Sequence, residues 1–262
     1  MAQESGRDHP AALATRELSR LADKASGGRI RVRVYEDGYL GDETEVVEQL
    51  RFGGIDMAVV SIRALESLSK TAAILGKGGT FATSAAIDEA MAGAAGANLA
   101  DELEAGRLLL MSWYDGGTEC YLLPRSPAAR SLRGLRIGVE RSNSVIDDVT
   151  AGGAIPVPLS TLELRRTLEA GLVDGVRAPL AFVLSNRLDA DYRVLPIPGS
   201  RIPMLVIGSR VSLMKMPGND RRILSEAVKA SRVFQADALT FMESRFARDN
   251  PQPWALKLGE GR

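Results

Sequence analysis

The sequence predicts an α/β protein of two lobes, and three observations carry that prediction. The apolar period alternates between about 3.6 and 2 residues across 10–60, and does so again across 136–176. Asp115-Gly116-Gly117, a turn or hinge signal, lies between these two units. A single long helical pattern then runs from Pro217 to about Arg248.

Each element has a local reason. Pro10 stands at a first helical position, where its missing N–H costs nothing. Leu13, Leu18, Leu21 and Ala22 form one apolar stripe, which Gly27-Gly28 ends. Ile30, Val32 and Val34 alternate with Arg31, Arg33 and Tyr35 as in a half-buried strand. Asp42, with Glu45 three residues on, makes a capping box for a helix carrying Val46, Val47 and Leu50. Gly53-Gly54 stops that helix, and Met57–Val60 is a short apolar strand. Such a β–α–β unit implies parallel strands and a right-handed crossover. Residues 64–105 read as helical, with a breaker at Gly76-Lys77-Gly78-Gly79, and Leu108–Met111 is a buried strand.

In the second unit Ile137 and Val139 mark a strand, 142–151 a helix and Ile155–Pro158 an extended piece. Ser160 caps a helix with Leu162, Leu164 and Leu168 that ends at Gly171, and Val173–Val176 re-enters a strand. Residues 192–197 and 203–209 read as two further strands. The long helix is expected to bury Ile223, Ala227, Ala230, Val233 and Phe234.

Composition excludes several functions. With 33 basic and 33 acidic residues the net charge is zero, which argues against a general nucleic-acid binder. One cysteine and one histidine cannot assemble the common zinc sets or a disulfide. A Ser-His-Asp or Cys-His mechanism would need His9, which beside Pro10 reads as a solvent-facing helix-start residue. No catalytic residue, metal ligand or cofactor is therefore expected. No apolar run approaches the ~20 residues of a membrane span. Gly76-Lys77-Gly78 lacks the spacing of a phosphate loop, since Thr71 and Gly78 stand where glycine and a hydroxyl residue are needed. Asp147-Asp148 reads as a solvated helix face. The basic run Arg125, Arg130, Arg133, Arg136 and Arg141 reads as a solvated edge rather than a docking patch.

Five segments, taken together, resemble the DctP-type solute-binding proteins of TRAP transporters. They are Ser26–Val32 with Gly38-Tyr39-Leu40-Gly41, then Gly54-Ile55-Asp56-Met57, Leu132–Ile137, Gly153–Pro158 through Leu168–Gly175, and Met216-Pro217. Their order and spacing agree over about residues 8–245. The resemblance implies a two-lobed, type II periplasmic-binding-protein-like fold with hinge strands and a long bracing helix. Lobe I is expected to hold 1–116 plus about 205–236, and lobe II 117–204 plus about 237–262. The resemblance also implies closure on a small solute, usually an organic acid, delivery to a TRAP-type permease, and a periplasmic location. Met1–Glu4 shows no secretory leader, so a leader is expected to have been removed or to lie outside this sequence. The family's first strand is expected before residue 8, yet Met1–Gly6 reads as polar. Further chain is expected beyond residue 262.

Departures from the family pattern bear on the site. Gly138 occupies the position of an arginine that commonly clamps the ligand carboxylate. Glu119 follows Gly117-Thr118 where a second arginine is frequent, and Arg177 replaces an acidic residue after Asp174-Gly175. The candidate ligand residues are therefore Arg177, Arg141, Glu119, Thr118, Ser61 and Glu43. Arg177 either contacts the solute or pairs with Glu119, and Glu119 either meets a cationic or hydroxyl group or pairs with Arg177. Trp113 and Tyr114 are candidates for an apolar floor. The alternatives to transport are a ligand sensor of the same fold or an enzyme.

Overall fold

The computed structural model describes residues 1–125 and 131–250. Arg130 of the basic run, and residues 251–262 of the expected second lobe, lie outside the described residues. The chain runs α1 (Pro10–Ser26), α2 (Glu43–Phe52), β1 (Met57–Ser61), α3 (Lys70–Leu75), α4 (Ser84–Ala92), α5 (Ala94–Ala105) and β2 (Leu108–Pro124). It continues β3 (Arg136–Glu140), α6 (Asn143–Ala151), β4 (Ile155–Leu159), α7 (Thr161–Glu169), β5 (Gly175–Pro179) and α8 (Leu180–Ser185). Then come β6 (Tyr192–Ser209), α9 (Arg210–Leu213) and α10 (Gly218–Asp249). Six strands form one mixed sheet in the order β1-β6-β2-β5-β3-β4.

Two strands of 17 and 18 residues, β2 and β6, pair antiparallel from Leu108↔Ser209 to Pro124↔Tyr192 and so run through both lobes. Residues 192–197 and 203–209 thus belong to one strand rather than two. The Asp115-Gly116-Gly117 signal does not turn the chain either. It forms a bulge inside β2, where the register shifts between Asp115 and Thr118. A Cβ on Gly116 would lie 2.6 Å from the Ile202 carbonyl oxygen, and Gly117 has φ +93°, so only glycine fits this crossing. A second irregularity follows. Thr118 pairs with Arg201 and Cys120 with Pro196, so Glu119 alone faces residues 197–200 of β6.

Four apolar clusters cover the two faces of the sheet. At the β1 end, Ala58 and Val60 point into one cluster with α2 and α5, while Met57 and Val59 point into another with α1 and α10. That alternation on a strand buried on both sides explains its unbroken apolar sequence. At the other end, α7 and α8 cover one face through Leu164, Leu168 and Val183, and α6 covers the other through Val145 and Val149. These paired clusters are the cores of the two lobes.

An extended segment with isolated parallel bridges, rather than a regular strand, lies where Met1–Gly6 read as polar. Ala2 bridges Tyr35 and Ala58 in parallel, with the Ala2 N–H donating to Met57 O and the Tyr35 N–H to Met1 O. Residues 1–3 therefore sit between 33–35 and 57–59, and Met1, Ala2, Gln3 and Glu4 are all buried. Residues 30–34 pair too sparsely to form a regular strand. The end of this first segment delivers Glu4 to the cleft.

α10 is 32 residues long and braces both lobes, with Leu224, Ala227 and Val228 on the first core and Phe246 on the second. Its buried face differs from the expected one. Val233 and Phe234 are exposed, and Ser231, Gln235 and Leu239 face inward. The reason is the bulge. Gln235 accepts from the Asp115 N–H and donates to the Asp115 carbonyl, and Ser231 pairs with the Tyr114 hydroxyl at 2.7 Å. Backbone groups freed by the bulge need polar partners, so the middle of the helix is polar where it is buried.

Candidate functional site

Two contiguous hollows lie between the lobes and share Glu4, Glu43, Glu140 and Thr161. One is completed by Asp42, Arg63, Arg141 and Leu159, the other by His9, Ser61, Leu164 and Phe182. Glu4 lies two residues past the Ala2 bridge, Ser61 ends β1, Glu140 ends β3 and Pro179 ends β5. Strand carboxyl ends converging on a crevice are where open α/β sheets bind ligands. About 40 Å³ of solvent-sized space remains in each hollow, room for a few waters. Neither hollow as it stands has room for an organic molecule of several heavy atoms.

Polar contacts hold the lobes together across this crevice. Glu66 accepts from the Ser142 hydroxyl at 2.5 Å, the Ser144 hydroxyl at 3.1 Å and the Asn143 N–H at 3.2 Å, at the N-terminus of α6. Arg141 spans the mouth, donating to Asp42 at 3.0 Å and Glu163 at 2.8 Å.

Beneath the hollows is a buried ion network built on Glu119, which is 1% exposed. Its carboxylate accepts from Arg63 at 2.8 and 3.0 Å, from Arg177 at 3.2 and 2.9 Å, and from the Ser200 hydroxyl at 2.6 Å. The run of β6 residues opposite Glu119 brings Ser200 into reach. Arg63 also donates to Glu140 at 3.0 Å and to the Gly76 carbonyl, and Arg177 to Asp148 at 3.2 Å. Burial works against all three charges. The two guanidinium groups nevertheless hold the Glu119 carboxyl far below the usual range, and the carboxylates hold both arginines above theirs. The Gly76–Gly79 breaker closes over this network. A Cβ on Gly78 would meet the ends of the Asp148 side chain at 2.3 Å and the Arg177 side chain at 2.5 Å, so a larger residue there would push this ion pair aside.

The carboxyls facing the hollows are in the opposite electrostatic state. Glu43 accepts from the Ser61 N–H at 2.7 Å, and Glu4 Oε1 accepts from the Glu43 N–H at 2.7 Å. Glu4 Oε2 is buried without a hydrogen-bond partner. Burial pushes the Glu4 pKa up to about 7, outweighing the nearby Thr161 side chain and the Glu43 N–H. Burial also lifts Glu43 well above the carboxylate range, with Glu4 and Glu140 adding to it. His9 is not solvent-facing. It is buried, its Nδ1 accepts from the Ala11 N–H at 3.1 Å as the cap of α1, and burial lowers its pKa to about 4.

The six candidate residues thus divide. Glu43, Ser61 and Arg141 line the hollows. Glu119 and Arg177 pair with each other and connect to the crevice through Arg63. Thr118 turns to α10, its N–H donating to Glu243 and its hydroxyl accepting from Arg201. Trp113 and Tyr114 do not form a cleft floor. Tyr114 is in the first core, and Trp113 lies under Arg232 on the surface and donates to Asp88. Residues missed in the sequence are Glu4, Arg63 and Glu140. Their one readable signal is position at or just past the end of a strand.

Residues 1–248 match the family described as DctP, bacterial extracellular solute-binding protein, family 7. The chain belongs to this family. It is 28% identical over 225 residues to the uncharacterized protein YiiZ of Salmonella typhimurium, covering 84% of this chain and 69% of that one. It is 25% identical over 224 residues to the C4-dicarboxylate-binding protein DctB of Bacillus subtilis, covering 84% and 64%. Across five curated relatives the chain spans 41% to 69% of their length. Its fold matches the sugar acid binding protein DctPAm of Advenella mimigardefordensis, solved with galactonate, at a TM-score of 0.88 and 18% identity over 95% of this chain and 82% of that one.

Within this DctP frame the position expected to hold a carboxylate-clamping arginine is closed by apolar groups. A Cβ on Gly138 would stand 3.1 Å from Val176, 3.2 Å from Leu159 and 3.2 Å from Leu164, and the two leucines line the hollows. Gly138→Arg is expected to destabilise by about 1–3 kcal/mol, because its stem must displace packed leucines. A drop in thermal midpoint in calorimetry checks this, and an unchanged midpoint would show that the leucines yield freely.

Proposed function

We propose that this protein captures a small polar organic solute between its lobes and delivers it to a TRAP-type membrane permease, outside the cytoplasm and without chemical change. One observation carries the reading: a nearly closed crevice at strand carboxyl ends, lined by Glu4, Glu43 and Ser61 from one lobe and Glu140, Thr161 and Leu164 from the other. Capture by closure needs two lobes on a flexible crossing. The bulges in β2 and β6 would supply such a crossing, close to the β2 and β6 boundaries expected for lobes of 1–116 plus about 205–236 and 117–204 plus about 237–262. Among the described residues no helix is long and apolar enough to cross a membrane, in keeping with a partner that supplies the membrane passage. The DctP family name and a relative named for C4-dicarboxylate binding support solute capture as the activity. His9 and Cys120 are poor reagents here, since burial keeps the imidazole neutral and raises the thiol pKa.

A thermal-shift screen of dicarboxylates, sugar acids, amino acids and amines tests this. Cognate solutes raise the midpoint by mass action. They also reduce the radius of gyration in solution scattering, and nuclear magnetic resonance recovers them unchanged. Conversion of a hit to product, or stabilisation without compaction, would reject the reading.

A further inference from the structure

We infer, resting on the solute-binding reading above, that the solute of this crevice carries a cationic nitrogen received by Glu4, Glu43 and Glu140. The charges lining the two hollows are unequal. Glu4, Asp42, Glu43 and Glu140 are acidic, while Arg63 and Arg141 are the basic ones among their lining residues. Both arginines are already engaged by carboxylates. Arg63 is bound by Glu119 and Glu140, and Arg141 by Asp42 and Glu163. A solute carboxylate entering here would meet the carboxyls of Glu4 and Glu43, which form no ion pair among the described residues, and no free clamp, since Asp42 and Glu140 already hold the arginines.

A cation meets the opposite situation. Glu4 is 8% exposed; its Oε1 accepts from the Glu43 N–H, while its Oε2 makes no hydrogen bond of good geometry, with the Thr161 side chain as a nearby polar neighbour of the carboxyl. A buried acceptor left open at the wall of a crevice is costly unless something fills it. An ammonium donor from the solute would satisfy it and separate the like charges of Glu4, Glu43 and Glu140. The raised pKa values of Glu4 and Glu43 report the same uncompensated field. The occupant is organic rather than a metal ion. Among the described residues no group of three or more His, Cys, Asp or Glu side chains is placed to hold a metal ion. Leu159, Leu164 and Phe182 supply apolar wall for its carbon skeleton. An apolar wall with a few placed polar groups is the usual composition of a small-molecule site.

The experiment uses matched probes at pH 7.5, glucosamine against glucuronate and 4-aminobutyrate against succinate. A wider set of amines, betaines and amino acids is run beside dicarboxylates and sugar acids. Thermal shift finds the binders and calorimetry measures them. The compounds that bind are expected to carry the cationic nitrogen. Their Kd is expected to rise at least tenfold in Glu43→Gln and in Glu4→Gln, both of which keep an acceptor for the N–H they bind now. Glu169→Gln, on the exposed Arg165 pair, is expected to change nothing. Binders confined to anions would overturn the charge assignment and leave the solute-binding reading standing. A cationic binder indifferent to both variants would overturn it too. A set in which neither class binds would count against solute capture itself and take this inference with it.

Discussion

Glu119→Ala is expected to lower stability by about 3–5 kcal/mol, the cost of stranding a buried charge whose partner is removed. The variant leaves Arg63, 4% exposed, and Arg177, also 4% exposed, facing each other across the space the carboxylate held. Their remaining carboxylate partners, Glu140 and Asp148, touch one guanidinium each, and the Gly76 carbonyl is still bound to Arg63. At roughly 2–4 °C per kcal/mol for a chain near this size, the midpoint falls by about 6–20 °C. Glu119→Gln should fall in the same direction, because an amide offers the guanidinium groups one acceptor and an unwanted donor. Differential scanning calorimetry at neutral pH decides it, and a fall of less than about 3 °C would show that water or a shifted carboxylate takes over. Acid alone does not mimic the substitution until it is strong. The folded pKa of Glu119 lies far below its ordinary value, so its contribution persists at any pH above that ordinary value and is lost only well below it.

The second large effect has the opposite sign. Glu4→Gln should be more stable than the parent at pH 8, by up to about 3 kcal/mol, and no more stable at pH 4.5. Glu4 binds its proton near pH 7 when folded and near 4.5 when unfolded. Its raised pKa means that the penalty for ionising it is absent below about 4.5 and complete once pH exceeds 7. Glutamine removes the penalty at every pH. The comparison must be between variant and parent. His9, which stays neutral down to about pH 4, loses stability for the parent as pH falls from 6.5, and the buried Met1 amine acts in the same sense. Denaturant unfolding across this range reads the difference directly, and a constant gap from pH 8 to 4.5 would show that Glu4 is not strained by ionisation. With the weaker solute binding expected of the same variant, this residue would trade stability for capture.

What could be read in advance was local. The Asp42–Glu45 capping box, the apolar Met57–Val60 strand and the long helix after Pro217 follow from neighbours within one or two turns, and the structure shows each. What escaped was long-range. Met1–Gly6 reads as polar because the burial of its first residues comes from the segments around Tyr35 and β1, more than 30 residues away. Arg63 sits in an ordinary Ser-Ile-Arg-Ala stretch, and nothing near it announces Glu119, 56 positions on, or Glu140, 77 positions on. The α10 face was misjudged because apolar spacing cannot reveal a bulge elsewhere that demands Ser231 and Gln235. Arg177 and Glu119 were visible as charges out of place, but their partnership with a second, unsuspected arginine, Arg63, was not.

The polypeptide passes between the lobes along β2, returns along β6 and is spanned again by α10. Each core therefore borrows strand and helix from segments that also build the other. Neither half holds a complete complement of its own elements, so excising one would leave both with open edges. The whole chain is accordingly expected to melt in one cooperative step, with calorimetric and van't Hoff enthalpies in agreement.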